Sequence, residues 1–323
     1  MGIGTVSRVL NDSAGVAEAT RVRVRAVMDE LGYRPSATAR NLSLGRTQTL
    51  GVIAPFFTSP SVVERLRGID DVVGRSAYDL TLFNIETLDQ RRAALRRFAR
   101  RDRVDGVIVI SLPLRPAEVR ALHRDGVPIV LVDVAQALVP NVSIDDVAGG
   151  AMAAAYLLEA GHRDIAFVGD VENNPFAFAS SQRRLEGMRA VMGDAGVALP
   201  ARYVRRGPYG RESALELTRE LLALRRRPTA IFAASDVQAF GVLDAAARAG
   251  LSVPGDLSVI GFDDIELAAA IGLTTVRQPL RESGRLGAHL LLAALDDQQT
   301  REPPPGLPAL EVVVRRTVSQ PVT

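Results

Sequence analysis

The sequence predicts an α/β protein in which a doubly wound body follows a small basic helical head, and three observations predict it. From Leu50 onward, short apolar runs (LGVIAP, YDLTLFN, DGVIVI, PIVLVD) alternate with amphipathic helical patterns. That is the pattern of parallel strands buried on both faces and joined by helices. Residues 1–46 hold seven arginines against four acids, whereas the remainder holds 32 basic and 33 acidic residues. Between the two, residues 33–50 read YRPSATARNLSLGRTQTL, and Pro35 stops a helix from running straight through.

Composition bounds the function. A chain of 323 residues is long enough for two or three domains with a sizeable core. The 47% hydrophobic and 24% charged fractions are those of a soluble globular protein. There is no cysteine, which removes disulfides, thiolate nucleophiles and Cys-ligated metals. All 39 basic residues are arginine, a side chain suited to phosphate. The start lacks a charged segment followed by an apolar core, and no apolar run reaches the ~18 residues of a membrane span. A cytoplasmic protein without membrane contact is expected.

In the head, residues 5–11 (TVSRVLN) and 18–31 read as two short helices, with Gly32 ending the second. Val6, Val9 and Leu10 line the buried side of the first, leaving Thr5, Ser7, Arg8 and Asn11 outward. Those residue types bond phosphates and base edges. Val24, Val27, Met28 and Leu31 share one face of the second. After Pro35, Ser36 can cap a third helix over 37–43, which Gly45 closes. Two turns are too few to be stable alone in water, so this helix folds only against something else.

The body follows in order. Val62, Leu66, Ile69 and Val73 form one helical stripe; Leu95 with Phe98, and Val119 with Leu122, mark the next two. A second set reads as helix 149–160, strand 164–168, helix 181–195, strand 202–204, helix 211–224, strand 230–234, helix 236–249 and strand 257–262. The Pro-rich REPPPGLP precedes a last strand, EVVVRR.

Chemistry is sparse. There is no P-loop, no GxGxxG leading from strand to helix, and no His/Asp/Glu set at ligand spacing. No cofactor, metal site or catalytic residue is expected, and no enzyme. His162 follows a helix-ending glycine and reads as a group that satisfies carbonyls. Asp145-Asp146 and Asp263-Asp264 are adjacent carboxylates whose side chains point apart. One of each pair is expected to face a ligand and the other to cap a loop.

The run TVSRVLN…GVAEATRVRV…ELGYRPSATARNL resembles the DNA-binding headpiece of the lactose/galactose repressor family of bacterial regulators. The body resembles that family's effector-sensing core, itself similar to periplasmic sugar-binding proteins. The matching runs are VSIDDVAGG, LLEAGHRDIAFVGD, RRLEGMRAVMGDAG, PTAIFAASD, LSVIGFDD and LTTVRQP. The resemblance implies a headpiece and hinge helix over 1–46 and an effector-binding, dimerising core over 47–323. Lobe one would take about 50–147 and 278–306, lobe two about 148–277 and 307–323, with the ligand between them at the carboxyl ends of the strands.

By the same resemblance, residues 3–11 form the recognition helix in the major groove. Ile3 and Gly4 stand at base-reading positions, Arg8 reads guanine, and Thr5, Ser7 and Asn11 hold phosphates. Ser36 and Ala39 sit on a hinge helix that orders on operator DNA, with Leu42 as its minor-groove wedge. For the effector, the resemblance singles out Arg184, Tyr209, Ser235, Asp236 and Asp263. Tyr209 would lie against a sugar's apolar face, and Asp263 would accept ligand hydroxyls. Ser235 replaces an asparagine, which removes one amide's two-way hydrogen bonding. Ser61 and Val62 replace bulky aromatics, and Phe56 and Phe57 are added just upstream.

The protein so implied is a ligand-responsive transcriptional repressor sensing a small polar metabolite, a sugar or sugar derivative, and binding operator DNA as a homodimer. One departure stands out. Met1-Gly2-Ile3 falls where a turn like AGVS should end; the family places a first helix before TVSR, and roughly 14 residues that would complete the helix-turn-helix are absent. The expectation is a truncated headpiece whose true start lies upstream. The alternative is a DNA-independent, soluble small-molecule-binding protein, a headless sensor.

Overall fold

A computed structural model describes residues 2–10, 15–32, 46–98, 100, 102–124, 126–296 and 306–321. The head contains α1 (Ile3–Leu10) and α2 (Glu18–Glu30), which pack on each other with Val9 and Val24 buried. Arg8 faces outward, as read, and Gly4 is exposed, but Thr5, read as outward, is half-buried. The stripe on α2 is only partly covered: Val24 is buried, while Val27 and Leu31 are exposed. The roles read for Asn11, Ser36, Ala39 and Leu42, the hinge helix, and the side chains of Ile3 and Ser7 lie outside the described residues.

Lobe one begins where Asp105 accepts hydrogen bonds from the backbone N–H groups of Thr47 and Gln48, at 2.8 and 2.9 Å. Its elements are β1 (Thr49–Pro55), α3 (Pro60–Val73), β2 (Asp79–Ile85), α4 (Leu88–Phe98), β3 (Gly106–Ile110), α5 (Pro116–Arg124), β4 (Ile129–Val132) and β5 (Asn141–Val142). The five strands run parallel in the order β2-β1-β3-β4-β5. Because successive side chains alternate across a sheet, Val107 and Val109 enter one apolar core while Ile108 and Ile110 enter the other. Both faces are therefore covered, which is why these strands read as unbroken apolar runs.

Lobe two comprises α6 (Asp146–Glu159), β6 (Ile165–Asp170), α7 (Ser180–Asp194), β7 (Val204–Gly207), α8 (Arg211–Leu222), β8 (Ala230–Ala233), α9 (Asp236–Arg248), β9 (Ser258–Asp263), α10 (Glu266–Ile271) and β10 (Thr274–Arg277). Its sheet runs β11-β10-β9-β8-β6-β7, where β11 (Glu311–Val313) is the one antiparallel member. The same two-faced alternation holds: Phe167, Phe232 and Phe262 enter one core, Val168, Ala233 and Val259 the other.

Two elements start elsewhere than the sequence suggested. Residues 201–203 form a 3₁₀ turn after Pro200, so the strand expected over 202–204 begins at Val204. The helix expected from 149 begins at Asp146, because the Asp145 carboxylate caps it by accepting from the N–H groups of Val147 and Ala148.

The chain passes between the lobes from β5 to α6 and again from β10 to α11 (Leu280–Leu295). The helix α11 packs on α3 and on the lobe-one sheet, and the chain is back in lobe two at β11. Three helix pairs make unusually close crossings: α8 with α9 at Gly241, and two that carry cleft arginines. A Cβ on Gly284 of α11 would collide with the Arg65 carbonyl of α3, and one on Gly150 of α6 with the Arg184 carbonyl of α7. Only glycine permits that depth.

Candidate functional site

The carboxyl ends of both sheets face a cleft with a cavity of about 220 Å³. Four non-glycine residues that end its strands have left-handed backbones: Phe56 (φ 44°) after β1, Ser111 (54°) after β3, Asp133 (69°) after β4, and Asp263 (128°) at the end of β9. All four line the cavity. Such conformations cost on the order of 1–3 kcal/mol each and persist where the surroundings over-determine them. Here they turn side chains off the strand ends and into the cleft.

The floor of the cleft is a polar chain that spans both lobes. Ser111 donates through Oγ to Asp133 Oδ2 at 2.7 Å, and Arg65 Nη2 donates to Asp133 Oδ1 at 2.6 Å and to Gln278 Oε1 at 3.1 Å. Gln278, on the second crossing, donates through Nε2 to Asp263 Oδ1. Arg184 Nη1 lies 3.9 Å from that oxygen and donates to the Ala234 carbonyl at 2.6 Å, while Nε donates to Asp146 Oδ1 at 2.9 Å. Its guanidinium also lies over the Phe262 ring, 3.6 Å from the centroid. Arg65 and Arg184 are 2% and 5% exposed.

Burial sets the titration of these groups. It pushes Asp263 and Asp170 up to about 6, against the pull of Arg184 in each case. It raises Asp146 as well, again opposed by Arg184. For Arg184 burial acts downward, but Asp146, Asp263 and Asp133 outweigh it and keep the guanidinium charged.

Of the residues singled out for an effector, Arg184, Tyr209, Ser235 and Asp263 line this cavity. Asp236 does not: it is fully buried beneath it, accepting from the Ile265 N–H at 3.0 Å and from the Thr275 hydroxyl at 2.6 Å. It ties α9 to the β9–β10 edge and is a framework residue. Arg184 pairs with Asp146. Tyr209 is 45% exposed at the mouth. Ser61, Val62 and Phe56 line the wall, but Phe57 does not reach the cavity.

The carboxylate pairs divide as their geometry requires. Asp145 caps α6 while Asp146 meets Arg184, and Asp263 enters the cleft while Asp264 pairs with Arg277 and Arg315. His162 is buried between the Thr229 hydroxyl and the Ser319 carbonyl, each at 2.9 Å, and burial lowers its pKa. Among the described residues, no group of three His, Asp or Glu stands where it would hold a metal ion.

Sequence reasoning missed Arg65, Asp133, Asp170, Gln238 and Gln278, all of which line the cavity. It also missed a bridge between the lobes. In the loop after β6, Asn174 Oδ1 accepts from the N–H groups of Phe176 and Phe178. This shapes a turn that sends Phe176 into the lobe-one core. There Phe176 meets Phe56 edge-on at 5.9 Å and stacks with Phe178 at 5.4 Å.

A family model described as bacterial regulatory proteins, lacI family, matches residues 2–36, and one described as a periplasmic binding protein-like domain matches residues 154–318. The ribose operon repressor of Escherichia coli K12 is 36% identical over 294 residues, covering 89% of this chain and 88% of that protein. The chain belongs to the lacI family of bacterial regulatory proteins. Among solved structures it is similar to the lac repressor dimer bound to operator and an anti-inducer, with a TM-score of 0.82 and 25% identity over 98% of this chain and 95% of that one. It is likewise similar to a transcriptional regulator CelR–cellobiose complex, with a TM-score of 0.73 and 29% identity over 98% and 96% of the two chains. As a lacI-family member it is a ligand-responsive transcriptional repressor and not an enzyme. No described helix is long and apolar enough to cross a membrane.

Proposed function

We propose that the cleft takes a small polyhydroxylated effector, a sugar or sugar derivative, and that the chain works as a homodimer on a near-palindromic operator. The observation that carries this is the polar floor. Arg184, Asp146, Asp263 and Gln278 meet in one largely buried place at the strand ends. Charge-assisted donors and acceptors alternate there, as hydroxyl-rich ligands require. Similar proteins hold cellobiose or ribose in solved structures, and the lac repressor dimer holds operator.

In this reading residues 1–46 form the DNA-binding headpiece and hinge, and residues 47–323 form the sensing and dimerising core. Effector closes the two lobes, moves lobe one against its dimer mate, and so orders or melts the paired hinge helices. Its place of work is the cytoplasm, where operator DNA lies.

Fluorescence anisotropy on DNA flanking the protein's own gene tests the reading, combined with calorimetry against a sugar panel. The expected result is sequence-selective binding that weakens steeply as salt rises and shifts when a panel member occupies the cleft. Sugar binding without DNA binding at any salt would leave the DNA-independent sensor standing instead.

A further inference from the structure

The effector's charge class can be read from the one cleft carboxylate that no arginine directly pairs or hydrogen-bonds among the described residues. This inference rests on the reading of the cleft as the effector site. Both buried arginines are occupied by the protein itself. Arg65 gives its Nη atoms to the Ser61 carbonyl, Asp133 and Gln278. Arg184 gives its own to Asp146 and the Ala234 carbonyl. Asp133 has both oxygens engaged, by Arg65 and Ser111.

Asp170, at the carboxyl end of β6, differs. No arginine lies within ion-pair distance of it among the described residues, and its one side-chain partner is Gln238, whose Nε2 donates to Oδ1 at 3.0 Å. That amide is itself fixed, because the Ser235 hydroxyl donates to its Oε1 at 3.1 Å. Asp170 is therefore aimed but not ion-paired. Burial, outweighing the pull of Arg184 and the Gln238 bond, is also what raises its pKa to about 6. The walls of the same cavity include the rings of Phe56, Phe178 and Tyr209, and aromatic faces attract cations.

We propose that the effector is an amine-bearing polyol of the amino-sugar class, and that Asp170 receives its ammonium group. A fixed carboxylate within a partly desolvated cavity binds an ammonium more strongly than a hydroxyl and repels phosphate or carboxylate. With Asp133, Asp146, Asp170 and Asp263 against Arg65, Arg184 and the exposed Arg183 in its lining, the cleft carries one excess negative charge and selects against phosphorylated and acidic sugars.

The test is calorimetry at pH 7.5 with glucosamine, galactosamine and mannosamine, the three parent hexoses, and the three hexose 6-phosphates. Wild type is expected to bind at least one amino sugar about tenfold or more tighter than its parent, a gap of about 1.4 kcal/mol, and to bind the phosphates most weakly. Asp170→Asn, which keeps the side chain's shape, is expected to bring the amine-to-hydroxyl ratio close to one. The wild-type ranking stands on its own if that variant folds poorly. A phosphate binding tighter than its amino counterpart overturns the proposal, as does a preference for amines that survives in Asp170→Asn. Neutral hexoses binding while amino sugars do not overturns it too, and leaves the polyol reading of the cleft intact. Silence across the panel overturns both.

Discussion

The two lobes place an arginine in the cleft by the same device and then treat it differently. Arg65 lies on α3, which crosses α11 at Gly68 and Gly284. Arg184 lies on α7, which crosses α6 at Gly150 and Gly187. In each case the neighbouring glycine sits against the arginine's own carbonyl, so the depth of the crossing fixes where the guanidinium begins. Lobe two then gathers Asp263 and Asp170, with Asp146 on the crossing segment, around its end of the cleft. Lobe one offers Arg65 the single carboxylate Asp133 and reaches Gln278 on the other crossing. Lobe two thus gathers carboxylates at the cleft, whereas lobe one ties its one buried cleft arginine to the crossing segment.

The largest expected effect tests that contrast at its centre. Arg184→Ala leaves Asp146 and Asp263 buried without their cation, a loss of about 3–5 kcal/mol. Arg65→Ala leaves Asp133 still bonded to Ser111 and should cost less. Urea denaturation of the two variants measures the difference, and equal losses would break the asymmetry. The glycine crossings come next. Gly150→Ala and Gly284→Ala each force packed backbones apart and should lose about 1–3 kcal/mol. Unchanged melting of either variant would show that its crossing does not depend on glycine.

The pH dependence of the cleft comes third, and it arises in lobe two. Asp170 keeps its proton in the folded protein up to about pH 6, whereas its ordinary value is 3.8. Between those values the unfolded chain binds fewer protons than the folded one, so this contribution to stability is present at low pH and lost as pH rises through 6. Asp263 acts in the same direction. Ligand-free protein should therefore lose roughly 1–3 kcal/mol from this source between pH 4 and 7. Asp170→Asn should flatten the profile and melt higher than wild type at pH 7.5. A profile identical in the two proteins would remove Asp170 from the account.

What was legible in the sequence follows from what each element depends on. The strands LGVIAP and DGVIVI could be read because burial on both faces makes every position apolar. The strand Val204–Gly207 was placed two residues early, because it is a half-exposed edge bearing two arginines. Asp263 and Arg184 came from the family likeness, and the structure places both in the cleft. Asp236 came the same way, but its partners Ile265 and Thr275 are set by tertiary packing, and they draw it below the cleft floor. Arg65 sits between Glu64 and Arg67 and has the local pattern of a solvated helix face. It is covered by a helix that arrives more than 200 residues later, and its bond to Gln278 spans 213 residues. Asp170 ends a strand, where an aspartate ordinarily signals a turn. No local pattern told the two apart.

Phe176 has a consequence for the protein as a measuring instrument. Its ring completes an apolar core in the opposite lobe, and that attraction acts whether or not effector is present. Burying one such ring is worth about 1.5–3 kcal/mol, and each ~1.4 kcal/mol of bias multiplies the closed fraction relative to the open one tenfold. The ring therefore sets a zero offset on the scale. A larger offset lets a smaller dose of effector finish the closure, so the detection threshold falls. It also leaves less distance between the silent and saturated readings, so contrast falls with it. Threshold and contrast are tied together at one side chain, which packs on the cleft-wall rings of Phe56 and Phe178.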